Sequence, residues 1–363
     1  MDESWSSNFR VDPADLREIS NYLTFARFGA TAFVGFAPGH PATYLHHARG
    51  FSVQEQTLEG GVKFFSRNKI KTQSRDAEGH RVYREVTGTF LLKKLVTPNA
   101  YVFLTKDSGQ YINDGLQRLL YRIRQNLTRL RLASGEMREI VSALVNHSSG
   151  RLVVRRSIVR NKRQETTVSY ETELLDELYS KATAEDAHVH SFAFKLQHKR
   201  TGKLILNAGL NREGRFSFHD GDLSLFVAGL LEHASHIVKK KADLLQNRAR
   251  SENTGEINPI RVTFEEPVFD KKDGVKAFLR ILGRIRHGEF TIFHRNPYLH
   301  VSFFDFFDGS EFDLFVESSD TLIIVPQFQA NPSSLFRLCQ KISENFQEGI
   351  ISEDTATIRI TTI

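Results

Sequence analysis

Apolar residues recur along this chain in two periods, and the elements follow from them. From Tyr111 to Leu132 the residues Ile112, Leu116, Leu119, Leu120, Ile123, Leu127 and Leu130 fall at helical spacing and predict one amphipathic helix. Arg118, Arg122, Arg124, Arg129 and Arg131 occupy the rest of its surface, and no acidic residue follows Asp114 until Glu136. Residues 11–28 predict a first helix, with Asp12 as its cap and Pro13 in its first turn. Further helices are expected near 135–146, 170–183, 223–248, 273–288 and 332–347.

Between residues 50 and 105 the period shortens and predicts strands, separated by the turn chemistry of Gly60-Gly61, Asp76 to Gly79 and Thr97-Pro98-Asn99. Residues 151–164 read as a basic strand, and residues 188–197, 202–210 and 214–220 as three more. After residue 258 the order β-α-β-β-β-α-β is expected, the third strand of the central run open to a break at Ser318-Ser319-Asp320. The fold class is therefore α+β, mainly antiparallel sheets each packed with long amphipathic helices.

Three domains are expected: 1–150 and 151–250, both basic, and an acidic one over 258–363. The polar stretch 246–259, with Gly255 and Pro259, reads as a linker. Strands starting near 101, 215 and 321 each precede a long helix, which suggests three loosely similar modules.

Charge sharpens this division. Residues 1–150 hold 20 Lys and Arg against 14 Asp and Glu, residues 151–250 hold 18 against 12, and residues 251–363 hold 11 against 17. A basic working surface on residues 60–250 follows, and an anionic partner with it. On the second and third of the strands expected over 50–105, Lys63, Arg67, Lys69, Lys71 and Arg75 surround Phe64 and Phe65, and Arg81 and Arg84 flank Tyr83. Rings that stack on bases beside cations that hold phosphates are what single-strand binding requires; a half-solvated antiparallel sheet gives the same alternation.

Composition sets limits. The 29 Phe are expected to be mostly core, and Cys339, the single cysteine, excludes an internal disulfide or multi-Cys zinc site and fits a reducing compartment. The acidic, polar start MDESWSSNFR is neither secretory signal nor transit peptide, and no apolar run reaches membrane-span length, so a cytoplasmic protein is expected.

Phosphate-loop and dinucleotide motifs are absent, so no cofactor is expected. His188/His190, Glu232/His233/His236 and His219/Asp220/Asp222 have ligand-like spacings, but each also reads as an ordinary strand face, helix flank or turn, and no metal site is assigned. Asp305, Asp308 and Glu317 resemble neither a calcium loop nor a complete nuclease set. The function expected is nucleic-acid binding, of DNA or RNA, alone or as a subunit of a nucleoprotein complex. The residues expected to contact phosphate are Lys69, Lys71, Arg118, Arg122, Arg129, Arg131, Arg155, Arg156, Lys162, Arg163, Lys239, Lys240 and Lys241. The rivals are a metal-dependent nuclease or phosphodiesterase, using Asp305, Asp308 and Glu317 or the His219 turn, and a protein–protein scaffold docking through the acidic last third.

Overall fold

A computed structural model of the chain describes residues 12–24, 29–58, 61–75, 78–124, 126–148, 150–161, 165–247, 256–257, 259–271, 273–295, 299–327, 329–353 and 358–359. It is an α+β protein with antiparallel sheets, in two compact units: Met1–Arg160 with Thr166–Val238, and Asn161–Glu165 with Lys239–Ile363.

The first unit is built on β1 (Ala30–Phe36), all of whose residues are buried. Before it lies α1 (Pro13–Leu23), capped by the Asp12 carboxylate, which accepts a hydrogen bond from Ala14 N at 2.8 Å. After it come α2 (Ala42–Leu45), β2 (Phe51–Leu58), β3 (Gly61–Arg75), β4 (Arg81–Lys94) and β5 (Ala100–Thr105). A π-helical segment, Tyr111–Leu116, leads into α3 (Gln117–Arg122), followed by β6 (Thr128–Arg129) and α4 (Ser134–Ser148). Then follow β7 (Gly150–Asn161), β8 (Thr166–Ser169), α5 (Leu175–Ala184), β9 (Ala187–His198), β10 (Leu204–Asn211), β11 (Arg215–Gly221), a second π-helical segment (Leu225–Glu232) and α6 (His233–Asn247).

Among the described residues these strands form one sheet in the order β2-β3-β4-β5-β1-β11-β10-β9-β7-β8, with β6 also on β1. The boundary expected near residue 150 thus lies inside a sheet shared by both expected basic domains. β1 pairs with β11 from Ala30↔Phe218 to Phe33↔Arg215 and with β5 from Thr31↔Thr105 to Phe36↔Ala100.

The 111–122 helix covers one face of the β1–β5 half, and α1 reaches the other face at the end of β4, where Lys93 pairs with Glu18 at 3.1 Å and the Tyr22 hydroxyl donates to Thr89 O at 3.0 Å. Phe33, Phe64, Phe90 and Phe103 share a face with the Leu116, Leu119 and Leu120 side of the 111–122 helix and form one core with it. On the other face, Phe218 meets Phe226 of the second π-segment at 5.2 Å between ring centroids, and α4 packs on β9.

The helix expected over 111–132 ends at Arg122. Ile123 leaves the helical conformation, and the chain returns as β6, where Thr128 and Arg129 pair with Phe36 and Gly35. The cause is an unfilled backbone edge. β11 stops at Phe33, so the remainder of β1 needs partners, and Leu130 N donates to Val34 O at 2.8 Å. Gly35 makes room, because a Cβ there would stand 2.9 Å from Leu127 Cδ1. The apolar spacing of Leu127 and Leu130 is that of a helix, yet the buried strand edge decides their conformation.

One side chain seats the π-segment. Tyr111 is buried, and its hydroxyl shares a 2.6 Å hydrogen bond with the Ser66 hydroxyl of β3. Its ring fits between two glycines, Gly88 of β4 and Gly115 of its own helix; a Cβ on either would lie 2.5 Å from Tyr111 Cδ2.

The second unit holds β12 (Glu256–Ile257), paired with β19 (Ile358–Arg359), and a six-stranded antiparallel sheet. Its elements are β13 (Ile260–Phe264), α7 (Gly274–Leu282), β14 (Gly288–His294), β15 (His300–Asp305), β16 (Ser310–Val316), β17 (Thr321–Pro326), α8 (Pro332–Asn345) and β18 (Gly349–Glu353), in the sheet order β14-β15-β16-β17-β13-β18. The strand open to a break at Ser318-Ser319-Asp320 is indeed two, β16 and β17. The last strand of this sheet is β18 on β13, and of the expected terminal strand only Ile358–Arg359 is described. Phe264, Phe269, Phe278 and Phe346 pack ring against ring at 5.4–5.8 Å beneath it. Cys339 is buried in α8, and burial pushes its thiol up to about 12, so it stays protonated and unreactive at neutral pH. Most of the expected linker lies outside the described residues, and no described helix is long and apolar enough to cross a membrane.

The Tyr111 slot has a direct test. Gly88→Ala forces a methyl into the ring and is expected to cost about 2–3 kcal/mol, measured by denaturant unfolding. Tyr111→Phe leaves the buried Ser66 hydroxyl without its partner and is expected to cost about 1–3 kcal/mol in the same assay.

Candidate nucleic-acid interface

Strand parity divides the basic–aromatic segments of β3 and β4 between two faces. Phe64, Ser66 and Asn68 are buried, whereas Phe65, Arg67 and Lys69 are exposed. The buried set faces the 111–122 helix: besides the Ser66 contact, Asn68 Nδ2 donates to Asp114 O at 3.4 Å. The exposed set points the opposite way and continues onto neighbouring strands. Phe65 stands across from Gln54 of β2 and Thr89 of β4, Arg67 from Ser52 and Thr87, and Lys69 from Glu85. Tyr83, 55% exposed, lies two residues before Glu85 and shares its face.

The result is an open sheet face carrying two accessible rings, Phe65 and Tyr83, with Lys63, Arg67 and Lys69 between and beside them. Six strand positions separate the two rings, roughly 20 Å at about 3.3 Å per residue. Glu85 is the acidic residue of this patch, and it is engaged by Arg67 at 2.5 Å. The Lys69 ammonium makes no ion pair among the described residues, which leaves it available to a phosphate.

Of the other expected contact residues, Lys71 shares the strand of this surface and the remaining described ones lie on other elements. Lys71 continues β3 opposite Tyr83 in register. Arg118 and Arg122 lie on the helix that covers the far face, and Arg118 pairs with Asp114 at 3.0 Å while Arg84 binds the same carboxylate at 2.8 Å. Arg129, expected on a helix surface, is instead in β6. Its guanidinium lies over the Phe33 ring, 5.0 Å from the centroid, and donates to Glu213 O at 3.2 Å. Burial, with Arg131 and Arg215 as like-charged neighbours, lowers its pKa to about 10. It remains a cation at neutral pH, but a structural one. Arg131 is half-buried just beyond β6.

Arg155 and Arg156 are both exposed on β7, where Arg156 lies 5.5 Å from the Tyr170 ring centroid. Lys162 and Arg163 lie outside the described residues. In α6, Lys239 pairs with Asp243, Lys240 is exposed, and Lys241 lies 5.7 Å over the Phe336 ring within the second unit.

The residues weighed for metal chemistry have other occupations. Asp222 caps the second π-segment, accepting from Ser224 N at 2.8 Å and Leu225 N at 3.2 Å, and Asp220 accepts from Gly221 N. Glu232 holds the β4–β5 turn, accepting from Val96 N at 2.6 Å and Thr97 N at 3.3 Å, and burial raises its pKa. Burial lowers the pKa of His233, with His236 and His147 contributing. Asp305 and Asp308 tie the β15–β16 turn to α8 through Arg337 and Ser334, whereas Glu317 pairs with Arg261 of β13. Among the described residues, no three His, Cys, Asp or Glu side chains gather as a metal ion would need.

Comparison with known family models and with curated proteins gives no match.

The open face was half legible from sequence. Its residue types stand out, but Phe64 and Phe65 appear together as one aromatic centre until period two is applied, which sends one inward and one outward. The Asp305–Arg337 contact carries its own test. Asp305 is 2% exposed, so Arg337→Ala strands a buried carboxylate. A loss of about 3–5 kcal/mol in the stability of the second unit is expected from chemical denaturation.

Proposed function

We propose that the first unit binds single-stranded nucleic acid across the open face of β2, β3 and β4. The observation that carries this reading is the exposure of Phe65 and Tyr83 on the same face as Arg67 and Lys69. Both rings present area to solvent and flank cations on one face of the sheet. Unpaired bases present π-faces that stack on such rings, and the phosphates between them meet the cations. A duplex hides those faces, so the reading favours single strands. Contacts of this kind carry little sequence preference, because every base can stack and every phosphate is alike. A cytoplasmic setting and a place in a nucleoprotein complex belong to the same proposal, the former supported by a lone buried thiol.

The test uses fluorescence anisotropy with a labelled oligonucleotide of about 10 residues, within the range of site sizes that such surfaces cover. Replacing Phe65 and Tyr83 together by Ser is expected to weaken binding by about 30-fold or more, since each stacked base contributes about 1–3 kcal/mol. Lys69→Glu is expected to weaken binding and reduce the slope of log K against log salt. Arg118→Glu with Arg122→Glu, on the helix-covered face, is expected to leave affinity within about threefold. Equal affinity of the Phe65/Tyr83 variant and the parent protein would sink the proposal.

A further inference from the structure

The first unit has a second open region, on the opposite face of the same sheet and in its other half. There the 111–122 helix begins and leaves β7 and β9–β11 uncovered, and a cavity of about 560 Å³ opens over them. Its depth comes from side-chain size. Ala193, Gly209 and Ser217 stand in register across β9, β10 and β11, so three adjoining positions add almost nothing above the backbone.

The walls are donors. Arg215 and His219 flank Ser217 along β11 and line the cavity with it, Ser191 lies two residues from Ala193, and Arg156 reaches in from β7. Among the described residues, the Arg215 guanidinium, the His219 ring and the Ser191 and Ser217 hydroxyls make no hydrogen bond or ion pair with the protein. The acidic side chain on the wall, Asp107, is already engaged: its Oδ2 accepts from Thr89 N at 2.5 Å and from the Thr89 hydroxyl at 3.3 Å. Burial lowers the pKa of Arg215 against the opposing pull of the nearby Glu213 charge, as expected of a guanidinium partly stripped of water. A cavity with two guanidiniums, free hydroxyls and an already occupied carboxylate is built for an anion with several acceptor oxygens. A phosphate monoester suits it better than a carboxylate, because three terminal oxygens can accept from two separate forks. The volume lies within the range of ligand pockets of roughly 300–1,000 Å³, far more than a free inorganic anion fills. The flat floor at Ala193 and Gly209 would take a planar ring.

We infer that this cavity binds a phosphate monoester of mononucleotide size, with Arg215 and Arg156 on the phosphate and the rest of the ligand over the Ala193–Gly209 floor. The site stands apart from the Phe65–Tyr83 face and does not depend on it. The same chemistry could come from a free mononucleotide or from the 5′-phosphorylated end of a strand.

Calorimetric titration of the full chain with adenosine 5′-monophosphate, ribose 5-phosphate and adenosine tests it. Both phosphorylated ligands are expected to bind and adenosine to bind at least tenfold more weakly. Arg215→Ala is expected to lower the affinity for the monophosphate tenfold or more; Arg156→Ala, at an exposed position, gives the same reading should the first variant fold poorly. Ala193→Phe, which fills the floor and leaves both arginines, is expected to abolish monophosphate binding. Competition by a 5′-phosphorylated oligonucleotide, and none by its 5′-hydroxyl twin, in the Phe65/Tyr83 double variant would assign the strand end as the source; competition by neither would assign the free nucleotide. No heat of binding up to millimolar monophosphate, or unchanged affinity in both arginine variants, would overturn the inference.

Discussion

The first unit depends on the seating of one ring. Tyr111 enters a slot whose walls are the missing side chains of Gly88 and Gly115, and its hydroxyl meets that of Ser66 at the bottom. Every neighbour of that ring lies on a different element: β3, β4 and the helix itself. Seating the ring therefore fixes the height of the helix over the sheet. It also accounts for the π-turn, since a helix held this close at Gly115 widens by one residue between Tyr111 and Leu116 while Leu119 and Leu120 still reach the Phe64–Phe90–Phe103 core. Burial holds the Tyr111 phenol well above its usual range, so the contact is a neutral one throughout the working pH.

From that seat follow both open faces. A helix that covers β3 to β5 on one side leaves the other side open over β2, β3 and the first half of β4, since α1 takes the second half of β4 through Thr89 and Lys93, and a helix that begins only at residue 109–111 leaves the β9–β11 half of its own side uncovered. The second π-segment and α4 then take the opposite side of β9–β11, where Phe218 and Phe226 meet. Two coverings on opposite sides of one sheet thus produce two uncovered surfaces of different character. One bears exposed rings; the other is concave because its floor residues are small.

Much of this was legible in the residues, though unevenly. Segments with a strong period are where expected: α4 at Ser134–Ser148, α8 at Pro332–Asn345, and the strands of 51–105 and 187–221. Local chemistry also told true, as at Asp12 and Pro13. What failed was whatever depended on distant partners. Leu127 and Leu130 kept a helical spacing but were drawn into β6 by the unpaired edge of β1, and the two basic domains expected on either side of residue 150 share one sheet because β1 pairs with β11. The groove had no signature at all: Ala193, Gly209 and Ser217 are unremarkable residues until register lines them up.

Charge shows the same limit in sharper form. The arginines that looked most prominent, at 118, 122 and 129, are divided by the fold among different tasks. Arg118 pairs with Asp114 of its own helix, the carboxylate through which Arg84 ties that helix to β4; Arg129 of β6 lies over the Phe33 ring. A guanidinium already paired with a carboxylate or stacked on an internal ring has less to gain from a phosphate than one facing solvent, because its first partner must be given up. Counting basic residues along the chain therefore overstates the surface, and parity corrects the count. On β3 the alternation that buries Phe64 is the same that turns Phe65, Arg67 and Lys69 outward, so the core and the binding face are set by a single period. A one-residue shift in the β3–β4 register would expose Phe64 and Ser66 and bury Lys69 under the helix. The Ser66–Tyr111 hydrogen bond opposes that slip, and so the contact that holds the helix also keeps the cations on the open side.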